Sequence, residues 1–325
     1  MDSKIINWGI IGAGKIASKF AVDLNATRDS KLYGIASRHL EKAQGFASEF
    51  NGHKAYGNYT DLILDPNIDA IYIATPHSFH KSHTILCLKH KKPVLCEKPF
   101  AMNREEVDEM IRASKENDTL LMEALWTAFL PHFQYVQDLL KTNHFGKLIK
   151  LEADFGFRPT YDKNSRLFDK SLGGGSLLDI GIYPVFVALS TLGQPNSIEA
   201  SSKFFPSGAD SECDIILNYN GVKAILKSTF LEETKTEAIF HCETGTIKIN
   251  GRFHEPSSVL LVAQNGDSEL KTFDDTAIGY RYEIEHFNQL IRHGKTESNV
   301  MTFDRSRQLI TTLDRVRKLI GLEYS

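Results

Sequence analysis

The sequence has little that would take the protein to a membrane, a nucleic acid or an oxidising compartment. Its apolar runs, such as IDAIYIA at 68 to 74, fall far short of the roughly 20 residues that span a bilayer, so no membrane segment is expected. The opening stretch MDSKIINWGII passes from a charge straight into a strand pattern, without the apolar core and small-residue cleavage site of a secretory leader; the expected location is the cytoplasm. Four cysteines, Cys87, Cys96, Cys213 and Cys242, show no CxxC spacing and lie in apolar or strand-like surroundings. They read as reduced structural thiols rather than a disulfide framework. With 41 acidic against 38 basic residues the formal charge is -3, which leaves no basic excess for a polyanion such as nucleic acid. Internal repeats and low-complexity tracts are also missing.

What is present is an ordinary globular composition, 42% hydrophobic and 24% charged, over 325 residues, enough for two domains. Over the first 125 residues, IINWGII, KLYGIA, IDAIYIA, PVLC and TLLM read as strands, and helical patterns lie between them. That alternation predicts a doubly wound parallel sheet, an N-terminal Rossmann domain over 1–125. Asn103 and Glu106 have the spacing of an N-cap and its third helical residue, opening a helix near Arg104. From 126 to 325 the texture is that of an α+β domain with a mainly antiparallel sheet. Asn220-Gly221 sits between two apolar arms at 214–230, the strongest short hairpin signal, and Thr244-Gly245 repeats it at 238–250. Helices are expected near Leu130–Lys141, Ile182–Leu192, Ile278–Arg292 and Arg305–Ile320.

GIIGAGKIA at 9–17 places Gly12-x-Gly14-x-x-Ala17 between the first strand and the first helix. Glycines there let backbone amides approach a pyrophosphate that rests on the positive end of the helix, so Gly12, Ala13, Gly14, Lys15 and Ile16 are expected to hold a dinucleotide. An NAD-selective site carries an acid at the end of the second strand, whereas this strand runs into Ser37-Arg38. A hydroxyl and a guanidinium suit a 2′-phosphate, which favours NADP, with NAD still possible. Lys42, one helical turn beyond, is a candidate second cation.

Together, GIIGAGKIA, YTDLILDPNIDAIYIATPHSFH (59–80), CEKPF (96–100) and GGGSLLDIGIY (173–183) resemble the glucose-fructose oxidoreductase and inositol dehydrogenase (Gfo/Idh/MocA) family over essentially the whole chain. MEALWTAFLP and the ending ESNVMTFDRSRQLITTLDRVRKLIGL look most like the branch with dimeric dihydrodiol dehydrogenase and NADP-dependent D-xylose dehydrogenase. The resemblance implies hydride transfer between a nicotinamide and a sugar or vicinal diol, and a homodimer formed through the open C-terminal sheet. Alternating apolar residues such as Ile225 and Thr229 are candidates for that face.

The resemblance also assigns Lys98, in Glu97-Lys98-Pro99, to the nicotinamide side of the active site, with a cis Lys-Pro bond. Many relatives carry Asp and His four residues apart after the glycine run; here the pair is Asp179 and Tyr183. Residues at i and i+4 share a helix face. A phenol with a reference pKa near 10 needs a neighbouring cation to serve near neutrality. In the branch named, the matching tyrosine is the acid/base, so Tyr183 is expected to move the proton, Lys98 to favour its phenolate and Asp179 to hold the substrate hydroxyl. Trp126, joined by Phe157, Arg158 and Tyr161, is implied in substrate binding. Thr75, Pro76, His77 and His80, with Glu97, are implied along the cofactor. His77, His80 and His83 recur every third residue, but with no carboxylate or cysteine nearby they lack the usual ligand set, and no metal is expected. Two other functions fit the same loop: elimination of a glycosidic substituent through transient NAD-dependent oxidation, and a non-catalytic dinucleotide sensor. Retention of Lys98, Asp179 and Tyr183 weighs against the sensor.

Overall fold

The apolar runs of the N-terminal third pair side by side, as alternating β/α sequence requires. In the computed structural model, which describes residues 4–273 and 278–324, six strands form one parallel sheet: β1 (Ile6–Ile11), β2 (Ser30–Ala36), β3 (Lys54–Tyr56), β4 (Ala70–Ile73), β5 (Val94–Glu97) and β6 (Leu121–Ala124). Their order is β3-β2-β1-β4-β5-β6, so the winding reverses between β1 and β4. That is the switch point at which doubly wound sheets bind ligands, beyond the carboxyl ends of their strands. Helices α1 (Lys15–Ala26), α2 (Leu40–Glu49), α3 (Tyr59–Leu64), α4 (His80–Lys89) and α5 (Arg104–Glu116) make the crossovers. Asn103 caps α5 by accepting from Glu106 N, while the Glu106 carboxylate reaches back to Met102 N, one residue beyond the usual partner in a capping box. The strand expected at 119–122 lies at 121–124. Thr119 N is spent on Ser114 O closing the preceding helix, and pairing with Cys96 and Glu97 extends the strand to Ala124. β3 and α3 carry too few residues to show a period and were not foreseen.

The second sheet has eight strands: β7 (Leu148–Gly156), β8 (Ser197–Phe204), β9 (Asp210–Asn218), β10 (Lys223–Thr229), β11 (Ala238–Cys242), β12 (Gly245–Ile249), β13 (Val259–Ala263) and β14 (Ser268–Lys271). Their order is β14-β13-β12-β11-β7-β10-β9-β8, antiparallel except for β7 with β10. Both hairpins form, with Asn218 opposite Lys223 and Cys242 opposite Gly245. Helices α6 (Pro131–Lys141) and α7 (Ile182–Leu192) belong to the same part of the chain. Gly181 lets the chain entering α7 approach the sheet, since a Cβ there would lie 2.8 Å from Ser228 Oγ. The stretch Lys170–Leu192 is apolar and long enough to cross a membrane by composition, but it is largely buried, as a core helix is. All four cysteines are free and buried.

Two compact units result, Met1–Trp126 with Thr276–Arg307 and Thr127–Asp275 with Gln308–Ser325. The linear division at 125/126 is therefore interrupted, because α8 (Arg281–Arg292) and the start of α9 (Phe303–Ile320) group with the first unit. The cause is long-range. Buried Asp23 on α1 accepts from the backbone amides of Ile278, Gly279, Tyr280 and Arg281, and the Trp8 indole donates to Asn288 Oδ1 at 3.2 Å while packing on Phe287. Gly279 stands at a φ of +121°, outside the helical region, so α8 begins at Arg281 rather than Ile278, with Asp23 accepting from the amides at its start.

Candidate active site

The cofactor residues gather at the carboxyl ends of the parallel strands. Gly12 follows β1 at a φ of +101°, and a Cβ there would lie 2.7 Å from Ala74 O, so only glycine fits between β1 and β4. Gly14 caps α1 with open space where a Cβ would stand and no acidic residue in the first turn. The α1 amides thus keep the free, positive N-terminal end that a pyrophosphate uses. Ser37 and Arg38 follow β2. Ser37 is buried with its amide on Tyr56 O, while Arg38 is exposed and has no ion-pair partner among the described residues. Its guanidinium acts on Tyr59 and His83, and burial together with that charge lowers the His83 pKa to about 4. Tyr59 and Phe79 pack on His83, so Arg38, Tyr59, Phe79 and His83 form one patch, of which the sequence reading had only Arg38. Lys42 is exposed on α2.

Lys98 follows β5 and precedes a cis Lys98-Pro99 bond. Three ties hold this turn. The Tyr72 hydroxyl donates to Glu97 Oε1, and Lys98 N donates to Glu97 Oε2 at 3.1 Å. His80 spans Pro99 O at 2.8 Å and Thr75 O at 2.9 Å, joining the ends of β4 and β5. Phe100 N donates to Glu123 Oε1 at 3.1 Å. Glu97 and His80 are buried and engaged and build the floor of this turn, with buried His77 beside the His80 ring. Thr75 hydrogen-bonds His83 Nδ1 at 3.1 Å, and Pro76 precedes the short turn into α4. Among the described residues no cluster of three or more His, Cys, Asp or Glu is arranged to hold a metal ion.

Glu123 gives a pH test of this floor. Burial pushes its carboxyl up to about 7, and Glu97 adds to the rise, against hydrogen bonds from Ser306 and Phe100 N and the nearby charge of Lys98. A raised carboxyl binds a proton in the folded state that the unfolded chain has already released. Its contribution therefore falls as pH rises from about 4.5, levels off above about 7, and totals about 3 kcal/mol. Glu123→Gln keeps an acceptor for Phe100 N and removes this dependence. In urea unfolding at pH 5 and pH 8 the variant should gain on the parent by about that amount at the higher pH; an equal difference at both would show that Glu123 stays ionised.

Asp179 and Tyr183 stand after the glycine run in the second unit. Leu177–Gly181 forms a π-helical turn before α7. Pro184 has no amide to offer an α-helical ladder at Ile180 O, which accounts for the widened turn just before it. Asp179 accepts from Arg166 Nη1 at 3.1 Å, a partner that the sequence reading missed. Tyr183 is 7% exposed, its ring 4.8 Å from His254 and 5.9 Å from Phe155. His254 was also missed, because nothing in RFHEPSS signals a place beside α7.

The expected substrate residues divide. Trp126 belongs to the first unit, is 4% exposed and has Tyr280 stacked on it at 4.4 Å. Phe157 packs edge-on against Phe230 at 5.1 Å. Arg158 is exposed, and Tyr161 is exposed on an aromatic group with Phe168 and Phe205.

Comparison with known proteins covers nearly the whole chain. Residues 6–125 match a family model described as an oxidoreductase family with an NAD-binding Rossmann fold, and residues 133–248 match the GFO/IDH/MocA C-terminal domain. Trans-1,2-dihydrobenzene-1,2-diol dehydrogenase of Xenopus tropicalis is 35% identical, with 98% of each chain covered. The scyllo-inositol 2-dehydrogenase (NADP(+)) IolU of Bacillus subtilis is 33% identical, again with 98% of each covered. Among solved structures, KijD10, a 3-ketoreductase from Actinomadura kijaniata in complex with NADP and TDP-benzene, is 26% identical, with 98% of each chain covered and a TM-score of 0.87.

Proposed function

The chain belongs to the Gfo/Idh/MocA oxidoreductase family, and from that premise we propose that it transfers a hydride between NADP and a carbinol carbon of a sugar, inositol or vicinal diol, with Lys98, Tyr183 and Asp179 as the reacting set. The observation that carries this reading is the convergence of Gly12, Arg38, Thr75 and Lys98 at the carboxyl ends of β1, β2, β4 and β5, astride the switch point. The residues present fit the cofactor: the Gly12 turn admits no side chain, the first amides of α1 have no side-chain cap, and Arg38 is exposed with no carboxylate partner among the described residues. Gly12 to Ile16 would hold its pyrophosphate and Ser37 with Arg38 its 2′-phosphate. When bound, NADP supplies the hydride acceptor or donor. Tyr183 takes the hydroxyl proton during oxidation and returns it during reduction, Lys98 stabilises its phenolate, and Asp179, oriented by Arg166, accepts a hydrogen bond from the substrate hydroxyl.

Incubating the purified protein with NADP and a panel of aldoses, inositols and dihydrodiols, and following the absorbance of reduced cofactor, tests the reading. Substrate-dependent reduction is expected. Product formation without net cofactor change would instead indicate redox elimination. For the cofactor, Arg38→Asp should weaken NADP binding by about 10–100-fold, the worth of a charge-assisted hydrogen bond, and reverse the preference over NAD. Titrations that give the same ratio for parent and variant would remove Arg38 from the 2′-phosphate.

A homodimer through the second sheet is part of the proposal, as is cytoplasmic residence, with which the buried free thiols agree. Paired positions across the sheet put Ile216, Ile225, Glu152, Ile239, Lys248, Leu260 and Leu270 in one transverse row, and Ile225 is 42% exposed. Thr229, expected on this face, is instead buried, because the chain turns over it: Leu231 N bonds its hydroxyl and Phe157 N its carbonyl. Light scattering at micromolar concentration should give twice the chain mass, and Ile225→Glu should halve it; a monomeric parent would count against this surface.

A further inference from the structure

Helix α9 runs out into RKLIGLEY at 317–324, a sequence that turns the chain back on the helix it has just left. Gly321 stands at a φ of +70°, and Leu322 N donates to Arg317 O at 2.9 Å, the reversal with which a glycine closes a helix. Leu322 is buried by that turn. Tyr324 then comes back over Arg317, whose guanidinium lies 5.0 Å from the centre of its ring and also donates to Asp314. The Tyr324 hydroxyl donates to Gly174 O at 3.2 Å. Burial, with Asp210, Cys213 and Asp179 nearby, outweighs the Arg317 charge and raises the phenol well above its ordinary range, so the hydroxyl keeps its proton and stays a donor.

The contact falls on a single peptide unit. Gly174 O and Gly175 N lie in one rigid plane; the oxygen accepts from Tyr324 and the amide donates to Leu167 O at 2.9 Å. Gly174 N donates to Asp169 O at 2.9 Å, and a Cβ on Gly174 would lie 2.4 Å from Arg166 O, so the run is pressed against the backbone of residues 166–169. On its other side Asp210 accepts from Ser176 Oγ at 2.7 Å and Leu177 N at 2.6 Å, and a Cβ on Gly175 would lie 2.0 Å from Asp210 Oδ1. The next carbonyl, Gly175 O, accepts from Asp179 N at 3.3 Å, and Arg166 Nη1 donates to Asp179 Oδ1 at 3.1 Å. Both the backbone and the carboxylate of Asp179 therefore lead back to the peptide unit that Tyr324 holds. Gly173, Gly174 and Gly175 have no side chains to anchor them and the widest conformational freedom to lose, so each backbone bond to the run counts.

We propose that Tyr324 is a positioning residue for Asp179: by holding Gly174 O it fixes the glycine run, and through the run it sets the direction in which Asp179 and Arg166 present a carboxylate oxygen to the substrate hydroxyl. The inference rests on Asp179 as the acceptor of that hydroxyl. Tyr324 itself moves no proton and touches no reacting atom. Its effect is geometric, since a small misplacement of a group that orients the substrate slows the reaction even when the chemistry is untouched.

Tyr324→Phe is the deciding variant, because it keeps the ring over Arg317 and deletes only the hydroxyl. Hydrogen exchange of the full-length protein, read by mass spectrometry on peptides spanning 166–179, should quicken by about three- to tenfold, the worth of one neutral hydrogen bond, while β1, β4 and β13 keep their parental rates. With NADP and scyllo-inositol or trans-1,2-dihydrobenzene-1,2-diol as probe, kcat/KM should fall by a similar factor and the Kd for NADP should not move. A general loss of stability would not give that split. Exchange that stays parental at 166–179, that rises equally over the whole chain, or that rises there while kcat/KM stays parental overturns the inference. Asp179→Asn tests the premise separately: if it turns over the probe at the parental kcat/KM, the reading of Asp179 fails first and on its own evidence.

Discussion

Lys98→Met should lower kcat by about 10²–10⁴-fold, the usual worth of general acid-base assistance, while NADP affinity falls much less. The substitution keeps most of the side-chain length and deletes only the ammonium. Glu97 bonds the Tyr72 hydroxyl and the backbone amide of residue 98, His80 bridges Thr75 and Pro99, and Glu123 takes the Phe100 amide, and these bonds persist in the variant. With those bonds kept the turnover should fall far more than the stability, and the pH at which the rate limb appears should shift upward as Tyr183 loses a stabilising cation. Steady-state kinetics across pH with a thermal melt distinguishes the cases. A variant that turns over its substrate at near-parental rate would reduce Lys98 to a structural role and end the mechanism proposed.

Tyr183→Phe should cost a comparable factor, again with the fold intact, because the ring remains packed against His254 and Phe155 and only the hydroxyl is lost. The informative measurement is the double variant. If Lys98 serves chiefly to favour the Tyr183 phenolate, removing both should be little worse than removing either, since groups that act as a unit are strongly non-additive. Losses that multiply would assign Lys98 a task independent of Tyr183, such as a direct contact with the reacting oxygen.

Legibility in the sequence followed range. The glycine loop, the Arg38 that replaces an acid, the Glu97-Lys98-Pro99 punctuation and both hairpins are written in a few adjacent residues, and each stands where the local pattern put it. Helix limits were legible except at α8, where Gly279 at a φ of +121° holds the start back to Arg281 and the remote Asp23 accepts from the amides there. The stacking of Trp126 on Tyr280 was not legible, because the two are remote in the chain. Thr229 shares the strand parity of exposed Ile225, yet the chain turn beyond β10 buries it, and parity cannot report a cover that comes from outside the strand.

By itself, then, the sequence determined the two sheets, the family and the residues at the strand ends, because a period of two or 3.6 and the backbone needs of glycine and proline act over a few residues. Tertiary structure alone decided what those residues touch. It gave Glu97 to Tyr72, Asp179 to Arg166 and Tyr183 to His254, and returned α8 to the first unit. Such pairs join segments far apart in the chain, and their partners are chosen by burial: a polar or aromatic group enclosed in the core must satisfy its hydrogen bonds and fill its volume with whatever the fold brings beside it.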